Sequence, residues 1–271
     1  MLHTLTLAAM LSLAPAQNSG LALTNDRLTF GGVLGPRREN NQYLPGDFCY
    51  LAFDIENLKA SPEGRVKFSI GLEVTDSAGN SVYSAKPSEQ DVVLALGGNK
   101  VPASSFFWIT PDESPGKRTC VLTVKDINGG STKTVSKEIQ VLPMRFGTVA
   151  VTAYLDPLKQ FPAPLVALEG QNLFLLVAVV GFGRDAKFKQ PNVTAEIRVL
   201  DQSGKAVNEK PVVVALAGVR VAEEKLLLDF PLQPLPLNRA GSFTVEIKTE
   251  CKVSGKTDKV SFPLTVIAAK K

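Results

Sequence analysis

The sequence predicts an all-β protein: two antiparallel β-sandwiches in tandem, preceded by a signal peptide. Three observations carry this. The chain reads nearly the same way twice, helical periodicity is almost absent, and the first 16 residues are apolar and small. Val92-Val-Leu-Ala-Leu-Gly-Gly98 returns as Val212-Val-Val-Ala-Leu-Ala-Gly218, an offset of 120 residues. Asp76-Ser-Ala-Gly79 returns as Asp201-Gln-Ser-Gly204, Gly116-Lys-Arg-Thr119 as Gly241-Ser-Phe-Thr244, and Ile139-Gln-Val141 as Leu264-Thr-Val266, each at 125. That period is too long for a solenoid unit, and each copy is large enough to bury a core of its own.

The elements follow in chain order. Met1–Ala16 holds an apolar run from Leu5 to Leu13, and Ala14-Pro15-Ala16 fits a small-x-small cleavage site, so 1–16 reads as a signal peptide. Short runs alternating apolar with polar residues then recur between turn residues. In the first copy, 17–143, strands are expected at 25–33, 47–56, 66–75, 80–84, 91–96, 103–110, 117–126 and 133–142. In the second, 144–271, they are expected at 146–155, 169–181, 192–200, 205–209, 211–216, 223–230, 241–251 and 258–267. Asp76–Asn80 and Asp201–Lys205 put Asp first and Gly fourth, the pattern of a type I turn whose Gly takes positive φ, so both read as hairpins. Pro111, Pro115 and Gly116 break the first copy where Pro234, Pro236 and Gly241 break the second, and Pro143 marks the boundary between copies. The most apolar run, Leu173–Gly183, is 11 residues long, against the roughly 20 a membrane helix requires, and reads as a core strand buried on both sides.

Seven or eight short strands per copy describe a sandwich, with a barrel as the alternative, and the chain resembles bacterial secreted proteins built from tandem immunoglobulin-like or fibronectin-III-like domains. The residues that carry the resemblance are Pro45-Gly46-Asp47, Leu51-Ala-Phe-Asp-Ile55, Gly71–Asp76, Leu96-Gly-Gly98, Ile109-Thr-Pro-Asp112 and Pro115-Gly116 with the run from Thr119 to Asp126. The resemblance marks a fold that many unrelated functions share. Two immunoglobulin features are replaced. The single tryptophan, Trp108, lies on the strand before the one that carries Cys120, and the corner tyrosine becomes Arg118 in one copy and Phe243 in the other.

Chemistry is sparse. The sole histidine, His3, lies in the signal segment, so the mature chain would have no imidazole for general-base, triad or zinc chemistry. No catalytic residue, metal ligand or cofactor is assigned. The 26 acidic residues form no pair that stands out for carboxylate chemistry. Asp126-Ile-Asn128-Gly-Gly offers two oxygen-bearing side chains, too few for calcium, and reads as a turn.

Cys49 shares a strand face with Leu51, Phe53 and Ile55, and Cys120 with Leu122 and Val124, so both thiols should point inward from facing sheets. Two outcomes stand: a disulfide of the inter-sheet kind, or two separate buried thiols. Leu173 or Phe174 and Val245 occupy the matching positions of the second copy, and Cys251 is left as the lone thiol.

Net charge is uneven. Residues 17–143 carry 13 basic and 14 acidic side chains, and 144–271 carry 17 and 12. A surplus of five is no nucleic-acid footprint. The candidate contact surface is the loop Gly181–Pro191, which interleaves Phe182 and Phe188 with Arg184, Lys187 and Lys189. Its alternatives are an anion-binding face, for a glycan or other polymer, and a solvated loop with Phe tucked beneath. The expectation is a non-catalytic exported binding, adhesion or cell-envelope structural module, not transmembrane once the signal is cleaved. Its partner would be an envelope or extracellular protein or glycan. A two-domain periplasmic chaperone and a carboxylate-based glycan-processing accessory module are the alternatives.

Overall fold

The computed structural model describes residues 20–269, and the expected signal peptide lies outside them. No helix occurs among the described residues, and none is long and apolar enough to cross a membrane. The first half contains β1 (Ala22–Thr29), β2 (Gln42–Tyr43), β3 (Phe48–Glu56), β4 (Arg65–Asp76), β5 (Ser81–Val93), β6 (Lys100–Trp108), β7 (Gly116–Asp126) and β8 (Thr132–Val141). The second contains β9 (Gly147–Tyr154), β10 (Pro162–Ala163), β11 (Val166–Leu168), β12 (Asn172–Val180), β13 (Asn192–Leu200), β14 (Val212–Ala217), β15 (Leu228–Asp229), β16 (Gln233–Pro236), β17 (Gly241–Cys251) and β18 (Lys256–Ile267).

Four sheets form, two in each half: β1-β3-β6 with β2-β8-β7-β4-β5, then β10-β9-β12-β15, where β16 also joins β12, with β11-β18-β17-β13-β14. The five-stranded order is the same in both copies, down to a short strand (β2, β11) lying parallel to the last one (β8, β18). Alternation along each strand fills the space between layers. Leu51, Phe53 and Ile55 of β3 meet Val66 and Phe68 of β4 and Leu122 and Val124 of β7. Leu173, Leu175 and Val177 of β12 meet Val193 and Ala195 of β13 and Val245 and Ile247 of β17. At about 25 cal/mol per Å² of apolar area, such layers supply most of the drive to fold.

The expected strands hold where alternation is long, and several boundaries are corrected. The runs 80–84 and 91–96 fall on one 13-residue strand, β5, which holds residues 81–84 and 91–93 and ends before Leu94. Residues 205–209 form no strand, only a bridge between Leu200 and Ala206, and 223–230 reduces to β15. Strands β2, β10, β11 and β16 escape a reading by periodicity because two to four residues are too few to show a period. The two Asp-x-x-Gly turns are hairpin turns: Gly79 and Gly204 take φ +84° and +80°, and Asp76 and Asp201 each accept backbone N–H bonds across the turn.

Strand β12 is apolar on both sides for a specific reason. Ala178 and Val180 point away from the second core and are buried with Leu44 and Val149 where the halves meet. Beside them lies a buried ion pair. Arg38 Nη1 donates to Asp47 Oδ2 at 2.8 Å, and its Nη2 reaches the carbonyl of Val149 in the other half at 3.2 Å. The guanidinium carbon lies 4.2 Å from the ring centroids of both Phe30 and Tyr43. Burial pushes the Asp47 carboxyl up to about 6, against the pull of Arg38.

Candidate functional site at the loop end of the second half

Three connections meet at one end of the second half: Gly181–Pro191 from β12 to β13, 218–227 from β14 to β15, and 252–255 from β17 to β18. Each is tied to the next. Lys252 N donates to Asn192 O at 2.8 Å, Val221 N to Gln190 Oε1 at 2.6 Å, and Gly183 N to Cys251 Sγ at 3.2 Å. Between them opens a hollow of about 550 Å³, lined by Asp185, Phe188, Gln190, Arg220, Lys252 and Val253 among others.

The first loop is built by Asp185. Its carboxylate accepts the backbone N–H groups of Phe188 at 2.6 Å, Lys187 at 2.9 Å and Gln190 at 3.0 Å, and those bonds hold its carboxyl below the usual carboxylate range. Lys189 completes the reversal at φ +56°. The turn throws Phe188 outward, 66% exposed, with the Lys187 ammonium 4.8 Å from its ring centroid.

Arg184 has a different place from Lys187, Phe188 and Lys189. Its Nη1 donates to the carbonyls of Lys189 (3.0 Å) and Val221 (3.1 Å), and its Nη2 to those of Ala222 (2.6 Å) and Lys225 (3.1 Å). It staples the first loop to the second, and its side chain faces protein. Two cations that sequence reasoning missed stand at the hollow instead, Arg220 and Lys252. Nothing in their local spacing announces them, because each sits just beyond a strand end on a different connection. Lys252 is paired with Glu250 at 2.6 Å, whereas no described carboxylate pairs with Arg220, Lys187 or Lys189.

In the first half, Cys49 on β3 and Cys120 on β7 are both buried free thiols in one hydrophobic cluster. Burial pushes the Cys49 thiol well up, and the neighbouring Cys120 adds to the shift. Register places Leu173 and Val245, both fully buried, at the matching points of the second half. The corner expected of a tyrosine is tied by Arg118, whose Nη2 donates to Glu113 Oε1 at 2.6 Å and to the Ser114 carbonyl at 2.7 Å. In the second half the Arg239 guanidinium covers Phe243 at 5.2 Å.

No protein-family model matches the sequence, and no curated protein does. Among solved structures, the chain is similar to the C-terminal domain of the Streptococcus agalactiae AgI/II polypeptide BspA, with 10% identity over 90% of this chain and 100% of that one, at TM-score 0.30. It is also similar to the dimeric latent PorU of Porphyromonas gingivalis, with 10% identity over 97% of this chain and 22% of that one, at TM-score 0.38. A family 123 glycoside hydrolase from Clostridium perfringens shares 10% identity over 45% of this chain and 27% of its own, at TM-score 0.31.

Proposed function

We propose that the chain is a non-catalytic exported binding module of two sandwich domains, 17–143 and 144–271, and that the loop end of the second domain holds an anionic polymer such as an acidic glycan. The observation that carries this reading is the hollow of about 550 Å³ where three loops converge. Arg220 and Lys252 line it, Phe188 offers an exposed ring at its rim, and Lys187 and Lys189 adjoin Phe188 in the chain. Clustered cations beside an apolar ring suit a ligand that carries carboxylate or sulfate groups on a sugar-like face. The Asp185 carboxylate at the hollow is occupied by backbone N–H groups, which tempers its repulsion of an anion. The surplus of five basic side chains in 144–271 works in the same direction. That the only imidazole in the sequence is His3 supports the non-catalytic half of the reading.

The test is retention on a sulfated or carboxylated matrix under a salt gradient. The double variant Arg220→Ser/Lys252→Ser is expected to elute at clearly lower salt than the parent protein, with a shallower salt dependence. Equal elution of the two proteins would remove this site from the proposal. Arg184→Ser serves as the contrast, because it unfastens the loops rather than deleting a cation that lines the hollow.

A further inference from the structure

A strand at the edge of a sheet exposes a row of unpaired N–H and C=O groups, and natural proteins blunt such edges with short strands, prolines, charges or bulges. Nine described strands stand at edges here. Eight carry at least one of these devices. Strands β2, β10 and β15 have two residues each and β11 has three. Strand β16 contains Pro234 and Pro236, and β6 contains Pro102. Strand β1 is bulged between Thr24 and Arg27. Strand β5 slips register twice against β4 and carries Lys86, Pro87, Glu89 and Asp91.

The ninth, β14, carries none. Val212–Ala217 reads Val-Val-Val-Ala-Leu-Ala and pairs with β13 in unbroken register. Val214 and Leu216 turn inward, while Val213 is 60% exposed and Ala215 and Ala217 are exposed beside it. Strand β5 is an internal control, since it occupies the same place in the other copy, after the same Asp-x-x-Gly turn and at the same end of a five-stranded sheet. One copy has a guarded edge and the other a bare, strongly β-forming one.

We infer that β14 pairs antiparallel with β14 of a second copy of this chain, joining two five-stranded sheets into one of ten. Self-pairing is favoured by how the strand meets itself. Adjacent antiparallel pairs alternate in type, so a two-fold axis normal to the sheet must pass through a residue facing its own equivalent. With Val214 on that axis, Val213 faces Ala215 of the second copy and Val212 faces Leu216. On the outer face Val213 thus meets the small Ala215, and no charged residue lies within the paired strand. Six residues bury less than a standard interface, so the dimer is weak, with Kd on the order of micromolar.

Sedimentation equilibrium of the full chain from low to high micromolar concentration tests this, with circular dichroism of each variant to show that the β fold is kept. The parent protein is expected to approach twice the monomer mass. Ala215→Lys, on the solvent side of the edge, is expected to weaken association by about tenfold or more. Adding Val213→Glu to it sets opposite charges face to face in the stated register and is expected to restore the dimer. Ser84→Lys on β5 is expected to leave association unchanged. Monomer mass throughout, a dimer indifferent to Ala215→Lys, or no recovery in the double variant would each overturn the proposal.

Discussion

Cys49 and Cys120 show how two residues 71 positions apart are made neighbours by layering alone. Each lies on an inward face of its own sheet, and both belong to one buried cluster between the layers. In an oxidising compartment, exchange with an oxidised dithiol would transfer the disulfide to this pair and leave the donor reduced. A loop of that length stabilises by up to about 4 kcal/mol in the chain-entropy model. Protein recovered from such a compartment and denatured without reduction is expected to show one free thiol, that of Cys251. A count of three would mean that the pair stays reduced. Arg184 carries a second lesson at this scale: a cation in an exposed loop is read from sequence as a ligand contact, yet its guanidinium fork matches four carbonyls of its own protein.

Elements were legible in proportion to their length. β4, β7, β13 and β17, each 9 residues or more with steady alternation, stand where periodicity put them. The split of β5 into two runs has a physical cause: the bulge at Lys86-Pro87 interrupts the alternation but not the hydrogen-bonded strand. Turn chemistry was the surest short signal. Asp201-Gln-Ser-Gly204 specifies positive φ at its last residue, and Gly204 takes it without contact from any neighbouring side chain. Gly204→Ala is therefore expected to cost about 1–2 kcal/mol from backbone strain alone, read as a lower urea midpoint with an unchanged slope. A midpoint equal to that of the parent protein would mean the turn relaxes to another type.

Between the halves, the contact is polar as well as apolar. Leu44, Val149, Ala178 and Val180 close it, and the buried Arg38–Asp47 pair lies beside them. Asp47 has a folded-state pKa of about 6, above its ordinary carboxylate value, because burial outweighs the guanidinium. A raised carboxyl favours the protonated form in the folded state. Its contribution to stability is full below about pH 4 and is lost as pH rises through about 6. Urea midpoints taken across that window are expected to lose stability on the order of 3 kcal/mol through this group. Asp47→Asn, although less stable overall because Arg38 loses its counter-charge, is expected to lack that decline. A variant that kept the parent's slope would assign the pH dependence to another group.

By itself, the sequence determined the all-β class, the tandem copies, the hairpin turns and the facing of Cys49 toward Cys120, because alternation and turn chemistry act over a few residues and need no partner to be read. It also signalled that Leu173–Gly183 is covered on both sides, without saying by what. Only the tertiary structure decided that the first half supplies that cover, that Arg184 fastens loops while Arg220 and Lys252 line the hollow, and that β14 is left bare at its edge. Each of these depends on which distant segments come to lie side by side. That is set by the packing of layers and the meeting of strand ends, and no local spacing along the chain records it.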